Sequence, residues 1–556
     1  MATQPRHSRA GGNPVTDNLD VWTSALLTKS TAGRGSNGRL EAYGIKRLRE
    51  LILELAVRGK LLPQGDKWEQ TCLGELGDWA VGSGFPKNAQ GSEGLEILFA
   101  KVSDMNSPEN TKFIVTTNHT ISEATATELR VNIHVPGTVI FPKIGGAIAT
   151  NKRRILTRPT AIDNNCLGIT PKDGVTSDWL YLVLSSIDFA KYQAGTSVPA
   201  LSQGTLAKIS VSLPGQAEQH RIVAKVDELM ALCDQLEQQQ TDSIAAHQTL
   251  VATLLGTLTR VESQQEFSAA WARIASHFDT LFTTEASIGQ LKQTLLQLAV
   301  MGKLVPQDPN DEPVAILLER VSEIKAGLAK EGKIQNQKGL SIKEQQSTSN
   351  QLPSNWRLVC LGDLVSVMDA GWSPACQPEP SPNDEVWGVL KTTAVQVMQY
   401  LQEENKALPH NKEQKPQYAV KAGDILITRA GPKNRVAISC LVETTRPKLM
   451  ISDKIIRLHL VEAGIYERYI SLCLNAGVTA EYLEASKSGM AESQMNISQD
   501  KLRLAPIPLC PINEQHRIVA KVDELMALCD ALKARLADAQ TTQLHLADAI
   551  VEQAVC

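Results

Sequence analysis

The chain has 556 residues, a formal net charge of −4 and an isoelectric point near 6.3. It is too long for one compact core, so several domains are expected, and its charge excludes a uniformly basic protein. The ten cysteines form no C-x-x-C pair and no apolar run reaches about 18 residues, which argues against a disulfide framework, a zinc site and a membrane span and predicts a cytoplasmic protein.

The N-terminal part of the chain divides into three segments. Residues 1–40 lack hydrophobic periodicity, and we predict that they are disordered or precede the true start. A helix is predicted over 41–64, where LELAVRGKLLPQ ends in a glycine cap at Gly59 and is stopped by Pro63. Residues 65–214 contain short β-branched stretches between turns and are predicted to form a first α+β domain.

A long helical segment is predicted next, over residues 215–311. It contains EQHRIVAKVDELMALCD (218–234), in which apolar residues are spaced 4-3-4-3, as is typical of a coiled-coil seam. The spacing persists weakly to about residue 258, so this helix would extend roughly 60 Å. The charged and glutamine-rich segment 312–350 is predicted to be a linker with a surface helix over 315–330.

The second half of the chain repeats the first. The same seventeen residues return at 514–530, and LQLAVMGKLVPQ at 296–307 matches the earlier LELAVRGKLLPQ. Trp68-x-x-x-Cys72-Leu-Gly-Glu-Leu likewise matches a stretch that begins at Trp356. The chain is therefore two copies of one unit.

The repeat predicts how the second half is organised. Residues 351–512 should form a second α+β domain and 513–556 a second long helix. Each copy runs from a short helix through a domain to a long helix. The C-terminal long helix should therefore pack near the N-terminal short helix, as the central long helix should pack near the short helix that follows it. This predicts an α+β fold in which two domains of short strands and helices are separated by two long, antiparallel, coiled-coil-like helices with pseudo-twofold symmetry.

Both predicted domains carry a basic cluster after an equivalent strand. GTVIFPKIGG (137–146) and GDILITRAGP (423–432) share a glycine, an apolar strand and a basic residue that enters a turn. Such clusters are most often solvated surface, but their equivalent positions favour contact with DNA. The predicted DNA-binding residues are Lys143, Asn151, Lys152, Arg153, Arg154 and Arg158 in the first domain and Arg429, Lys433, Asn434, Arg435, Lys448 and Lys454 in the second.

Two of these groups are candidates for contacts with bases. They are Asn151 with the triplet Lys152-Arg153-Arg154, and Lys433-Asn434-Arg435 in a turn, because arginine pairs with guanine and asparagine with adenine. The apolar and aromatic residues of the glycine turns are interpreted as plugs of the domain cores.

Motifs for catalysis are missing from the sequence. We find no Asn-Pro-Pro-aromatic tetrad, no HExxH and no G-x-S-x-G. GLAKEGK at 327–333 fits the spacing of a phosphate-binding loop, but Ile334 follows it where a hydroxyl residue would bind Mg²⁺. The sequence predicts no catalytic residue, no metal site and no cofactor site in this chain.

Together, the duplicated EQ-x-x-IVAKVDELM helices, the paired LAV-x-GKL-x-PQ segments and LPSNW before the second domain resemble the specificity subunit of type I restriction-modification systems. The resemblance covers residues 40–556. It implies a non-catalytic subunit with two target-recognition domains, each reading one half of a bipartite sequence in double-stranded DNA, on helices that set the gap. It further implies methyltransferase subunits, expected to be two, and restriction/translocase subunits as partners; S-adenosylmethionine, ATP and Mg²⁺ belong to those partners.

A second interpretation stays open at this point. The acidic net charge and low aromatic content are compatible with a non-enzymatic coiled-coil adaptor whose two duplicated domains bind protein or glycan. Steep salt dependence of duplex binding would separate a DNA-binding protein from such an adaptor.

Overall fold

A computed structural model describes residues 13–29, 39–63, 65, 67–195, 198–261, 264–334 and 352–555. The fold is α+β, as predicted, with two sheet-containing domains and a long helix between them in the chain. The chain divides into two compact units. Of the described residues, the first unit contains those up to Ser243 and from Ala539 onward, and the second contains those of Ile244–Asp538.

The longest helices of the described chain lie where the repeat predicted them. In chain order, the helices are α1 (Leu19–Ser24), α2 (Tyr43–Val57), α3 (Glu123–Leu129), α4 (Ser177–Ser186), α5 (Gln203–Ala207), α6 (Gln216–Arg260), α7 (Gln264–Ser276), α8 (Phe278–Leu281), α9 (Glu285–Val300), α10 (Val314–Lys330), α11 (Leu361–Leu364), α12 (Glu467–Leu474), α13 (Gly477–Ser486), α14 (Gln499–Arg503) and α15 (Ile512–Val555). At 45 and 44 residues, α6 and α15 are each about 65–70 Å long.

The first domain is built around two small mixed sheets. Its unit contains β1 (Leu27–Lys29), β2 (Arg39–Glu41), β3 (Glu69–Cys72), β4 (Gly77–Val81), β5 (Ile97–Ala100), β6 (Phe113–Ile114), β7 (Thr120–Ile121), β8 (Ile133–His134), β9 (Val139–Pro142), β10 (Arg154–Leu156), β11 (Thr160–Ile162), β12 (Cys166–Pro171), β13 (Gln193–Ala194), β14 (Ala200–Leu201) and β15 (Ser210–Leu213). The sheet orders are β4-β12-β9-β10-β6 and β7-β5-β11-β8.

The second domain has the same core topology. Its strands are β16 (Arg357–Cys360), β17 (Val365–Ala370), β18 (Gly388–Leu390), β19 (Val395–Gln396), β20 (Gln399–Tyr400), β21 (Asn405–Ala407), β22 (Ile425–Thr428), β23 (Ala430–Gly431), β24 (Ser439–Leu441), β25 (Leu449–Met450), β26 (Ile455–Leu460), β27 (Met495–Asn496) and β28 (Pro506–Leu509). The order β17-β26-β22-β24 repeats β4-β12-β9-β10, and β21-β18-β25 repeats β7-β5-β11. The predicted equivalence of the two domains is confirmed at the level of strand pairing.

Central strands of both domains consist of buried residues. All four residues of β9 and all four of β22 are buried, which explains why these strands read as continuous apolar runs and not as alternating patterns. Matched aromatic pairs lie beside the long helices. Trp68 meets Trp179 edge to face at 5.7 Å, and Trp356 meets Tyr469 at 6.4 Å.

Most of the 4-3-4-3 residues of the repeated helix are buried, and Leu236, Leu525 and Leu532 are partly buried. In α6, Ile222, Val226, Leu229 and Cys233 belong to the core of the first unit, which α2 shares. In α15, Ile518 and Val522 pack in the core of the second domain, and Cys529 packs against α9. These residues therefore pack α6 against the first domain and the short helix α2, and α15 against the second domain and the short helix α9.

The C-terminal end of each long helix packs against one of these short helices. In the first unit, the Asp548 carboxylate of α15 accepts a hydrogen bond from the Tyr43 hydroxyl and forms an ion pair with Arg47, both at 2.8 Å. In the second unit, Val251, Leu255 and Leu258 of α6 pack against α9. The predicted packing of the C-terminal helix near the N-terminal helix is confirmed.

The N-terminal segment corrects one prediction. We predicted that residues 1–40 are disordered or precede the true start, yet Val15, Val21 and Trp22 are buried in the core of the first unit. The backbone of Trp22 lies so close to Gly44 that a Cβ there would meet its carbonyl oxygen at 2.3 Å. A single tryptophan outside any periodic pattern gave no sequence signal for this packing. Residues 1–12 and 30–38 lie outside the described residues.

The charged segment 312–350 is only partly a surface element. The helix predicted over 315–330 is present as α10, but its Val314, Leu317 and Val321 are buried in the core of the second unit. Residues 335–351 lie outside the described residues. Across the described residues, no helix has the length and hydropathy needed to cross a membrane.

Candidate nucleic-acid interface

In both domains, one basic residue follows the central strand of the larger sheet. The Lys143 amide donates to the Asn165 carbonyl at 2.8 Å, and the Leu201 amide donates to the Lys143 carbonyl at 2.9 Å. In the second domain, the Arg429 amide donates to the Lys454 carbonyl at 2.8 Å, and the Ile497 amide donates to the Arg429 carbonyl at 2.9 Å. Lys143 and Arg429 therefore occupy equivalent positions.

Four of the predicted cations have free side chains. Within the described ranges, the side chains of Lys143, Arg158, Arg429 and Lys454 form neither an ion pair nor a hydrogen bond. Arg158 and Lys454 are exposed, whereas Lys143 and Arg429 are half-buried at the strand ends. These four groups are available to bind an anion such as a phosphate.

Arg153 requires a correction, because the structure places it in the interior. It is 2% exposed, and its guanidinium donates to the carbonyls of Leu184 (3.0 Å), Lys152 (2.9 Å) and Ile187 (3.3 Å). The same group lies 4.0 Å from the ring centre of Phe189. Burial lowers the pKa of Arg153 to about 9, so the side chain still carries its charge at neutral pH. We therefore assign Arg153 to the core and remove it from the candidate DNA contacts.

The neighbours of Arg153 bind the protein itself. Asn151 adopts a left-handed backbone with φ of 50°, and its side-chain oxygen accepts a hydrogen bond from Arg153 at 2.7 Å. Lys152 donates to the Asn106 side chain, and Arg154 donates to the Met105 carbonyl at 2.6 Å. All three remain partly exposed. Lys152 and Arg154 thus tie this turn to the loop at 105–110.

The second basic cluster is also partly committed to internal contacts. Arg435 donates to Gln396 Oε1 and to the Thr392 carbonyl, both at 2.9 Å, and its pKa is lowered by desolvation. Lys448 pairs with Glu385 at 2.7 Å, and Lys433 lies 3.5 Å from Glu492. These lysine pairs lie near the surface, where exchange of a carboxylate for a phosphate costs little. Asn434 is exposed.

Two glutamines that the sequence reasoning missed fix the starts of the long helices. Gln219 is buried, accepts the Thr176 amide at 2.9 Å and donates to the carbonyls of Gly174 and Pro214 at 2.8 and 2.9 Å. Gln515 accepts the Tyr466 amide at 2.9 Å and donates to the Cys510 carbonyl at 2.8 Å. The sequence feature that could have revealed them is that this Gln recurs in both copies of a helix whose other polar residues are mostly exposed.

The repeated Gly-Lys motif has a matching role at the helix ends. Lys60 Nζ donates to the Val555 carbonyl at 3.2 Å, at the end of α15. Lys303 Nζ donates to the carbonyls of Thr259 and Val261 at 2.9 and 2.6 Å, at the end of α6. A cation is favourable there because the last carbonyls of a helix have no partners within the helix and carry partial negative charge. Each short repeat thus caps a long helix.

The described residues assemble no obvious catalytic centre. They contain no cluster of three or more His, Cys, Asp or Glu side chains that would hold a metal ion. Burial raises the pKa of Cys233 to about 11 and that of Cys440 to about 12, so both thiols stay protonated and are poor nucleophiles at neutral pH. The site's chemistry is therefore that of cationic and polar contacts at two equivalent strand ends.

Comparisons with known proteins identify relatives over the whole chain. The family described as type I restriction modification DNA specificity domain matches residues 65–246 and 353–539. The EcoEI type I restriction enzyme specificity subunit of Escherichia coli is 46% identical over 590 aligned positions, which cover 97% of this chain and 99% of that protein. The EcoAI specificity subunit of Escherichia coli is 31% identical over 604 positions, with the same coverage. Among solved structures, the HsdS subunit from Thermoanaerobacter tengcongensis is 19% identical, with 89% of this chain and 97% of that chain covered and a TM-score of 0.40.

Proposed function

The chain belongs to the family of type I restriction-modification specificity subunits, and on that premise we propose that each of its two domains reads one half of an asymmetric, bipartite DNA sequence. The long helices fix the gap between the halves and dock methyltransferase subunits. The chain itself is non-catalytic. Methylation, with S-adenosylmethionine, and restriction, with ATP and Mg²⁺, take place on partner subunits.

One observation carries this proposal. The two domains differ in sequence but share a strand topology, and each places a basic residue with a free side chain at the same strand end, Lys143 in one and Arg429 in the other. Neutralising phosphates with free cations releases counterions and supplies affinity. The side chains around these two equivalent cations differ between the domains. Because DNA sequence is read by contacts to bases and not by contacts to phosphates, the two domains recognise two different half-site sequences.

The helices supply the spacing in this proposal. Residues 237–250 of α6 and the equivalent 533–546 of α15 contain no buried side chain. Apart from Leu536 and Leu544, which are partly buried against a core, such segments contribute length and an accessible surface. The identical sequences 218–234 and 514–530, which precede these segments, favour two methyltransferase subunits, one for each copy.

Hydroxyl-radical footprinting tests the proposal. The chain is purified with its methyltransferase partner, and the target sequence is taken from the methylomes of cells with and without this chain. We expect two protected clusters separated by an unprotected gap. Lys143→Ala should weaken protection in one cluster and Arg429→Ala in the other, so each variant is the control for its counterpart.

Salt titrations give an independent measure of the same contacts. Each of these two substitutions should reduce the slope of log affinity against log salt by about 0.9, the value for one lost phosphate contact. A single continuous footprint, or two variants that weaken both clusters equally, would refute the modular reading of DNA. A binding reaction without salt dependence would favour the adaptor instead.

A further inference from the structure

A β-hairpin lies beside the free cation in each domain. In the second domain, Ser488 and Asn496 exchange backbone hydrogen bonds at 2.9 and 2.8 Å, and β27 pairs with β23, which directly follows Arg429. In the first domain, β13 pairs with β14, and the Gly145 amide donates to the Pro199 carbonyl at 2.7 Å. Both hairpins are thus joined through their backbones to the segment after the cation.

The tip of the second hairpin is braced. A Cβ at Gly489 would lie 2.3 Å from the Gln494 carbonyl oxygen, so only glycine lets the tip close. The Lys433 amide donates to the Glu492 carbonyl at 2.7 Å, and Lys487 Nζ donates to the Lys433 carbonyl at 2.8 Å. A tip held in this way loses little conformational freedom when it meets a partner.

Both tips expose an apolar side chain. Met490, the residue after Gly489, is fully exposed, and it is the most exposed large apolar side chain in the described part of the chain. Val198 in the first hairpin is 61% exposed. Neither hairpin carries a cation between its paired strands in the described residues, and the second tip carries Glu492. The cations therefore lie at the foot of the hairpin and the apolar group at its tip.

This distribution of charge selects a part of the duplex. The tip carries no cation of its own to match the strongly negative minor groove, and its one carboxylate, Glu492, is paired with Lys433 at 3.5 Å, whereas the cations at the foot attract the backbone. The major groove admits a two-stranded β-ribbon, and the methyl group of thymine is the apolar feature of its base edges. Methionine, being flexible and polarizable, adapts to such a contact.

We propose that the hairpin tip of the second domain enters the major groove of its half-site and that Met490 packs against a thymine methyl group. Met490 is then a specificity-determining residue, and the half-site read by the second domain contains at least one A·T pair. This inference rests on the proposed function, because it assigns a base contact within that half-site.

Replacing each thymine of the second half-site with deoxyuridine, one at a time, tests this contact, because the change removes only the methyl group. The complex with the methyltransferase partner is titrated with these duplexes. At one position, we expect deoxyuridine to weaken wild-type binding about fourfold, the value for burying one methyl group. Met490→Ala should bind thymine and deoxyuridine duplexes equally, with an unchanged salt slope. Leu504→Ala, which removes another exposed apolar side chain of the same domain, should behave as wild type.

The outcomes separate the inference from the function. If every deoxyuridine duplex binds the wild-type protein as the thymine duplex does, or if Met490→Ala keeps the thymine preference, the Met490 contact is refuted while half-site reading stands. If the wild-type complex does not distinguish the intact target from one with a scrambled second half, the proposed function fails, and the inference fails with it.

Discussion

Arginines of equal charge in the basic clusters differ in what their side chains contact. Arg153 is enclosed by backbone carbonyls and the Phe189 ring, whereas Arg429 has no side-chain partner within the described residues. If the buried guanidinium of Arg153 moved out to contact a phosphate, it would lose several hydrogen bonds and leave a gap in the core. The free cations, by contrast, can exchange small ions for a polyanion at little cost. Environment, not charge, therefore distinguishes candidate contacts from structural residues.

Glu514 and Glu218 are the same residue of the repeated helix in different surroundings. Glu514 is fully buried, and its Oε1 accepts hydrogen bonds from Gln307 at 2.6 Å and from the Trp356 indole at 3.1 Å. Its Oε2 has no hydrogen-bond partner among the described residues. Burial is the main cause that raises the pKa of Glu514. Glu218 is half-exposed.

This difference predicts a pH effect on stability that belongs to one copy alone. Because the folded state raises the pKa of Glu514, its protonated form contributes stability that is present below the ordinary carboxyl pKa and is lost as the pH rises through the folded value. Glu514→Gln should therefore remove this loss and leave stability at pH 7 equal or higher. Urea unfolding between pH 4 and pH 8 measures it.

Glu218→Gln, at the half-exposed equivalent position, is the matched control for the substitution itself. A Glu514→Gln variant that keeps the wild-type profile, or that loses stability at pH 7, would show that the buried carboxylate is not the source of the effect.

The start of each long helix is fixed to its domain by one buried glutamine. Gln219 and Gln515 make equivalent bonds to the loop that precedes α4 or α12 and to the segment before their own helix. The bonds to the Pro214 and Cys510 carbonyls are buried and those from the Thr176 and Tyr466 amides are partly buried, so shortening the side chain leaves polar backbone groups unpaired inside the protein. The glutamines thus set the direction in which each helix leaves its domain.

Alanine at either glutamine should lower the unfolding free energy of its own unit by about 1–3 kcal/mol, the cost of leaving buried polar groups unpaired. Gln219→Ala should also speed hydrogen exchange at the Thr176 amide, and Gln515→Ala at the Tyr466 amide. Gln216→Ala, at the exposed start of α6, serves as the control. Exchange that is unchanged at both amides would rule out this bracing role.

At the scale of the whole molecule, the two long helices share one pattern of burial. Each has a buried first part, a middle without buried side chains and an end that packs against a short helix. Lys60 and Lys303 cap these ends at equivalent positions. Residues 241–247 and 537–543, which exclude Leu536 and Leu544, are thus the parts of the middle segments whose removal disturbs the cores least.

Removing one heptad from each middle, residues 241–247 and 537–543, should shorten the accepted gap between half-sites. Seven residues correspond to about 10.5 Å of helix, or about three base pairs, and to nearly two full turns, so the faces of the helices stay aligned. Methylome sequencing of cells with the doubly shortened chain reads the new gap. Deletion in one helix alone should impair methylation at every spacing.

Unchanged half-site sequences are the internal control of this experiment, because both domains remain intact. A doubly shortened protein that methylates the original gap, with the original preference, would show that the helices do not set the spacing.

Part of the site was predictable and part was not. The equivalence of the strands before Lys143 and Arg429 was predicted from a glycine, an apolar run and a basic residue, and the strand pairing confirms it. The exposed tip residue Met490 was overlooked, because an isolated methionine in a loop has no periodicity. The bracing glutamines were visible as repeats, but their role depends on which backbone groups lie opposite them.

Repeats, heptad spacing, glycine caps and prolines act over a few turns of chain, so the duplicated plan, the long helices and the two domains could be predicted from the amino-acid sequence. The burial of Trp22 and Arg153, the difference between Glu514 and Glu218, and the place of Met490 at a hairpin tip emerged from the three-dimensional structure alone. Burial and pairing depend on residues distant in sequence, such as Gly44 for Trp22 and Phe189 for Arg153. Local patterns do not encode such neighbours, so identical residues can acquire different roles.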